Sequence, residues 1–92
     1  MSAVTRRVTL PNPQGMHLRP LKQIVQTAVE FEASLTIENA DTGYVADGKS
    51  AIELMMLQAP QGTELVVTAE GADADSLVGA ICDLVESGFG ED

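Results

Sequence analysis

The sequence predicts an α+β fold, a four-stranded antiparallel sheet in strand order 1-4-2-3 with three helices on one face. The predicted elements follow the order β-α-β-β-α-β-α. Each strand has a single apolar face, so helices should cover one face of the sheet while water meets the other. A right-handed crossover from the first strand to the second leaves a gap that the fourth strand can fill. The 92 residues suffice for one domain, which we expect to span residues 1–92.

The first strand and the first helix are separated by turn residues. The strand is predicted over residues 4–10, where Arg6 interrupts the apolar face. Residues 11–15, Pro-Asn-Pro-Gln-Gly, end it. An amphipathic helix is predicted over residues 18–31, because apolar residues recur there at helical spacing: Leu21, Ile24, Val25, Ala28 and Val29.

A hairpin and a capped helix follow. Alternating residues at 35–38 and 44–47 flank a turn at 41–43, which predicts two antiparallel strands. Ser50, with Glu53 three residues later, has the spacing of a helix capping box. The remaining predicted elements are a helix over 50–59, a strand over 64–70 and a helix over 72–87.

The last predicted helix carries two acidic residues and the only cysteine. Asp73 and Asp75 are expected in its first turn, where carboxylates favour the helix dipole. Cys82 lies between Ile81 and Leu84, which predicts a partly buried structural thiol rather than a reactive one. One cysteine allows no intramolecular disulfide, so a reducing compartment fits best.

Charge and composition exclude several classes of function. The net charge of -9 argues against nucleic acid and against an anionic membrane surface as partners. No apolar run approaches the ~18 residues of a membrane span, and the N-terminus resembles no secretory signal, so we expect a cytoplasmic protein. One histidine and one cysteine cannot build a zinc site. With 3% aromatic residues, the core should be aliphatic.

Residues 12–20 place the only histidine, His17, at the start of a helix. The N–H groups of a first helical turn bind anions, and Pro20 lies where a missing N–H matters least. A neutral imidazole can attack phosphorus, and Arg19 offers donors suited to phosphate oxygens. Gly15 allows a close approach of the loop. These features together suit reversible phosphorylation, although a surface histidine that merely caps the helix would give the same local pattern.

The helix predicted over residues 50–59 is apolar on all sides. A helix at the surface of a small domain cannot bury every apolar side chain, so some should stay exposed for contact with a partner. The alternative is that the sheet and a neighbouring helix cover most of them, since short helices are often poorly amphipathic. The residues concerned are Ile52, Leu54, Met55, Met56 and Leu57.

These motifs, in their order and spacing, resemble the HPr family, the histidine-containing phosphocarriers of the bacterial phosphoenolpyruvate-dependent phosphotransferase system. The resemblance lies in Gly-Met-His-Leu-Arg-Pro at 15–20, Asp-Gly-Lys-Ser at 47–50, Gly-Thr at 62–63, Ala-Glu-Gly-Ala-Asp at 69–73 and Gly88-Phe89. It covers nearly the whole chain. It implies an open-faced β-sandwich, which agrees with the fold expected from the elements.

The resemblance also implies roles for individual residues. His17 would be phosphorylated on Nδ1, its pros nitrogen, and Arg19 would stabilise the phosphate, which the backbone N–H groups of Leu18 and Arg19 would also bind. Ser50 would be the regulatory serine. The residues implied to contact partners are Leu18, Leu21, Lys22, Lys49, Ala51, Ile52 and Met55.

Partners and cofactors follow from the same resemblance. The implied partners are Enzyme I as donor, an Enzyme IIA-type acceptor in a sugar-transport or nitrogen-related branch, and an HPr kinase/phosphorylase. The chain itself would be a monomeric carrier, not an enzyme, and would hold no cofactor, because Enzyme I uses the Mg²⁺ and the phosphoenolpyruvate. The alternative is a regulatory interaction module that acts through Ser50 and the apolar 50–59 helix rather than through phosphotransfer.

The sequence departs from the family pattern around the site. Leu18 and Leu21 replace small residues, and Ala51 and Glu53 replace a larger apolar residue and a glycine, which alters the expected docking patch. A thin basic rim should weaken steering towards an acidic partner. The basic residues expected near the site are Arg19, Lys22 and Lys49.

Overall fold

The computed structural model describes residues 3–90 and confirms the predicted α+β fold. The helices and strands follow the predicted order, and a short 3₁₀ turn at Gly88–Gly90 follows the last helix. They are β1 (Ala3–Thr9), α1 (Leu18–Ala28), β2 (Ser34–Asn39), β3 (Val45–Asp47), α2 (Ala51–Met55), β4 (Glu64–Glu70) and α3 (Ala74–Glu86).

The sheet is antiparallel throughout, in the predicted order β1-β4-β2-β3. β4 lies between β1 and β2, so Val67 faces Arg6 on one side and Ile37 on the other. The β2–β3 hairpin is also confirmed, with Ile37 opposite Ala46. Among residues 3–90, no helix is long and apolar enough to cross a membrane.

The core lies between the helices and one face of the sheet. It is aliphatic except for Phe89, a buried aromatic residue of the 3₁₀ turn. Cys82 is fully buried, whereas a partly buried thiol was predicted, and burial raises the pKa of its thiol. Each large apolar side chain contributes about 1.5–3 kcal/mol when fully buried. The largest buried side chains on the sheet are Leu35, Ile37, Leu65 and Val67, and those on α1 and α3 are Leu21, Ile24, Leu77 and Ile81.

The other face of the sheet is polar. The hydroxyl groups of Thr5 and Thr68 are 3.1 Å apart, and Arg7 pairs with Glu64 at 2.9 Å.

Arg6, which interrupts the apolar face of β1, stays exposed at the sheet edge, where its guanidinium lies 3.9 Å from the carboxylate of Glu86.

α1 ends three residues earlier than the periodicity predicts. The chain tightens after Ala28, where Phe31 N–H donates to the Ala28 carbonyl in a bond that spans only three residues. Val29, expected on the buried stripe, is therefore 60% exposed at the helix end.

α2 is five residues long, so the prediction of a helix over 50–59 is wrong at its C-terminal end. The N–H groups of Met56 and Leu57 bond three residues back, and Gln58 takes a positive φ of 47°. Pro60 disfavours helical backbone at Ala59, the residue before it. The chain therefore leaves the helix after one and a half turns.

α3 begins two residues later than predicted, and Asp73 precedes the helix instead of lying in its first turn. Its carboxylate accepts hydrogen bonds from the backbone N–H groups of Glu32 and Ala33, at 3.0 and 2.8 Å. These bonds lower the pKa of Asp73 because they favour its charged form. Asp75 does lie in the first turn, as expected.

The loop between β1 and α1 is held against the segment that leads into β4. Met16 N–H donates to the Ala59 carbonyl at 2.8 Å, and Gly62 N–H donates to the Leu10 carbonyl at 2.8 Å. Gly15 has a φ of +69°, and a Cβ there would clash with the Ala59 carbonyl oxygen and lie 2.9 Å from Pro60 Cα. Only glycine fits this approach, and the residue two places on is His17.

We predict that Gly15→Ala lowers the free energy of unfolding by about 2–4 kcal/mol, from left-handed backbone strain plus the clash with backbone atoms. Gly62→Ala is the matched control, because Gly62 also has a positive φ, of 90°, but no atom lies within 4 Å of its Cβ position. It should cost only about 1–2 kcal/mol. Denaturant titration measures both, and equal losses would contradict the close approach at Gly15.

We also predict that Asp73→Asn lowers the melting temperature at pH 7. Because the pKa of Asp73 is lowered in the folded state, the stability it contributes is present above its ordinary value of 3.8 and is lost as the pH falls through the folded value. The difference from wild type should therefore shrink below about pH 3.8. Asp75→Asn removes the same charge without those two hydrogen bonds, and an equal loss in that variant would contradict the role of Asp73.

Candidate functional site

His17 is the N-cap residue of α1, as predicted. Its backbone is extended, with φ −107° and ψ −170°, and its carbonyl accepts the first helical hydrogen bond, from Leu21 N–H at 3.2 Å. The side chain makes no capping hydrogen bond to the helix. The ring is partly exposed, but its Nε2 atom is buried. The Nε2 edge of the imidazole therefore faces the protein.

The first turn of α1 offers two backbone donors beside this ring. Among residues 3–90, the N–H groups of Leu18 and Arg19 meet no acceptor, and Pro20 has no N–H. The first turn holds no acidic residue. The positive end of the helix dipole is thus open to an external anion at the two residues predicted to bind phosphate.

An open depression of about 440 Å³ adjoins the histidine. Its two charged side chains besides His17 are both basic, Arg19 and Lys22, and both are exposed. It is lined by His17, Leu18, Arg19, Lys22, Gln23 and Gln26. An anion at this place would meet donors and positive charge and no carboxylate.

Apolar side chains are exposed on α1, directly after the histidine, and on α2. Leu18 is 63% exposed and Ile52 74% exposed, and Met55 and Ala51 are exposed as well. Leu54, by contrast, lies in the core. The open question about the 50–59 segment is therefore answered: some of its apolar residues are buried and others are presented to solvent.

Two of the residues expected in the docking patch are placed elsewhere. Leu21 is only 1% exposed, because it belongs to the buried stripe of α1, so it offers almost no contact area. Lys49 donates from Nζ to the Phe31 carbonyl at 2.8 Å, which places its charge beyond the C-terminal end of α1. Since His17 is at the other end of that helix, the expectation that Lys49 lies near the site is wrong.

Ser50 caps α2, as its position in the sequence indicates. Its hydroxyl accepts a hydrogen bond from Glu53 N–H at 3.2 Å. The Glu53 carboxylate reaches Asp47 N–H at 2.9 Å rather than Ser50 N–H, so the predicted capping box is only half formed. Ser50 is partly buried, with exposed Ala51 and Ile52 directly after it.

Sequence reasoning missed three residues around the site. Asn12 is buried and donates from Nδ2 to the Gly15 carbonyl at 2.6 Å, which holds the loop before His17. Its position between two prolines is the signal that a turn needs it. Gln23 and Gln26 line the depression, but polar residues on a helix surface give no such signal.

Comparison with known proteins agrees with this geometry. Residues 4–87 match the family described as "PTS HPr component phosphorylation site". The chain is 37% identical to the phosphocarrier protein NPr of Proteus mirabilis over 95% of this chain and 96% of that one. It is 38% identical to the multiphosphoryl transfer protein of Escherichia coli O157:H7, over 87% of this chain and 22% of that longer protein.

Among solved structures, HPr-C-His from Thermoanaerobacter tengcongensis superposes with a TM-score of 0.87 at 35% identity, over 100% of this chain and 99% of that one. The match therefore extends from sequence to fold across the whole domain. This chain belongs to the HPr family of phosphocarrier proteins of the phosphotransferase system.

Proposed function

We propose that His17 is the residue that carries the phosphoryl group, accepting it from phosphorylated Enzyme I and passing it to an Enzyme IIA-type acceptor. The observation that supports this most is the position of the ring, with Nε2 buried and two backbone N–H donors open beside it. A histidine that served only as a surface cap would need neither feature.

The reaction proposed uses Nδ1 as the nucleophile. With the proton on the buried Nε2, the lone pair of Nδ1 forms the bond to phosphorus as the bond between phosphorus and the donor breaks. The N–H groups of Leu18 and Arg19 and the Arg19 guanidinium would bind the phosphoryl oxygens. Onward transfer is the same step in reverse, with the acceptor as the attacking group.

The surface proposed to contact both partners is the exposed apolar region beside the histidine. It combines the side chains of Leu18, Ala51, Ile52 and Met55 with the charge of Lys22 at its edge. An apolar groove of about 230 Å³ lies between α1 and α2 in this region, and Leu21 is one of the residues that line it. Apolar surface of this kind marks protein contacts in small soluble domains.

The wider role follows from the same proposal. The protein would act as a monomeric, non-enzymatic carrier in the bacterial cytoplasm, with Mg²⁺ and phosphoenolpyruvate used by Enzyme I. Sugar transport and nitrogen-linked regulation use different acceptors, so transfer from the phosphorylated protein to one of two purified acceptors distinguishes these branches.

We predict that incubation with phosphoenolpyruvate, Mg²⁺ and Enzyme I adds one phosphoryl group, which acid removes. Intact mass measures it. His17→Ala should abolish the addition while the melting temperature changes by only a few degrees, since the side chain caps no helix. Undiminished labelling of His17→Ala would contradict the proposal.

A second proposed function is regulation through Ser50, by a serine kinase of the HPr kinase/phosphorylase type. Ser50 is favoured because its hydroxyl stands at a helix N-terminus beside the exposed side chains of Ala51 and Ile52. A phosphate there adds about -1.5 to -2 charges at the edge of the proposed docking surface. The helix tolerates that charge, whereas an acidic partner is repelled by it.

We predict that Ser50→Asp slows phosphorylation of His17 by Enzyme I, most strongly at low salt, without a loss of more than a few degrees in melting temperature. Ser76→Asp is the matched control. Ser76 is also exposed near a helix N-terminus, that of α3, and is not part of the proposed docking surface. If the two variants were phosphorylated equally fast, the regulatory role of Ser50 would be refuted and only its capping role would remain.

A further inference from the structure

The positive charge of this acidic protein is concentrated at one place. The chain has five lysine and arginine residues against fourteen acidic ones. Three of the five are engaged away from the histidine: Arg6 with Glu86, Arg7 with Glu64 and Lys49 with the Phe31 carbonyl. The remaining two lie on α1 beside His17.

Among the residues that the structure describes, no acidic side chain pairs with Arg19 or Lys22. Within residues 3–90, neither side chain takes part in a hydrogen bond or an ion pair. They are three residues apart on α1, so they share a face and repel each other. Helical side chains lean towards the N-terminus of their helix, which directs the Lys22 stem towards the turn that holds Arg19. Both line the depression that His17 adjoins.

We propose that Lys22 is a second cation for the phosphoryl group on His17, so that Arg19 and Lys22 bind the same phosphoryl oxygens from two sides. This inference rests on the proposed function. It goes beyond the expectation that Lys22 only contacts a partner protein. The titratable groups that line the depression are His17, Arg19 and Lys22, and no carboxylate among them competes with the phosphoryl group.

The rival role for Lys22 is steering, in which its charge attracts an acidic partner but does not touch the phosphoryl group. Steering changes the rate of association with a partner and its salt dependence. It does not change the isolated phosphorylated protein. A measurement on the phosphorylated protein alone therefore separates the two roles.

In the test, the protein is phosphorylated chemically with phosphoramidate, so that neither Enzyme I nor an acceptor is present. The phosphorus–nitrogen bond of the reagent breaks as the imidazole nitrogen bonds to phosphorus, and ammonia leaves with the imidazole or solvent proton. The phosphohistidine formed is at His17, because the chain has one histidine. Phosphorus-31 NMR then follows the titration of the phosphoryl group in wild type, Lys22→Gln, Lys22→Arg and Lys49→Gln.

The expected result is that Lys22→Gln raises the midpoint of the phosphoryl titration by about 0.5 pH unit, because a nearby positive charge favours the dianion. Lys22→Arg should stay near wild type. Lys49→Gln, which removes the same charge beyond the other end of α1, should change the midpoint by much less. A midpoint unchanged in Lys22→Gln, or raised equally in Lys49→Gln, would overturn the inference.

This design keeps the inference separate from the proposed function. If Enzyme I does not phosphorylate the protein, the proposed function fails, while the titration of the chemically charged protein still decides the role of Lys22. If Enzyme I phosphorylates His17 and the midpoint does not move, the function stands and the inference fails.

Discussion

The contact between Gly15 and the backbone of Ala59 and Pro60 is the constraint on which the site depends. It closes the loop before α1 onto the segment before β4, and it admits no side chain at residue 15. Hydrogen bonds from Met16 N–H and from the buried Asn12 amide hold the same loop. His17 follows directly, so its backbone leaves the loop extended and begins the helix. The backbone position of His17 at the start of α1 is thus a consequence of main-chain packing in the loop before it.

The two polar surfaces of the molecule, the open face of the sheet and the N-terminal turn of α1, differ in how their charged groups are engaged. The polar face of the sheet carries the Arg7–Glu64 ion pair, whereas the N-terminal turn of α1 keeps donors and cations unengaged among the described residues. Exposed apolar side chains on α2 face solvent instead of adding to the core. The proposed phosphoryl site and the proposed docking surface together suit a group that is transferred between proteins, since docking excludes water from the transfer.

Much of this could be predicted from sequence, and the exceptions have physical causes. Strand alternation and the single histidine before a helix gave the fold and the candidate site, because local pattern carries that information. Helix ends were less well predicted, since the short end of α2 depends on Pro60 and a left-handed Gln58. Lys49 was misplaced because its partner is a backbone carbonyl distant in sequence, and the burial of Nε2 is a property of the folded chain that no periodicity reveals.

The central claim is that Nε2 of His17 faces the protein and that Nδ1 carries the phosphoryl group. Nitrogen-15 NMR of the ring, recorded on protein phosphorylated by Enzyme I, tests it most directly, because coupling to phosphorus identifies the nitrogen that carries the group. The account predicts that coupling at Nδ1. Coupling at Nε2, or a phosphorylated protein whose imidazole nitrogens show none, would contradict it.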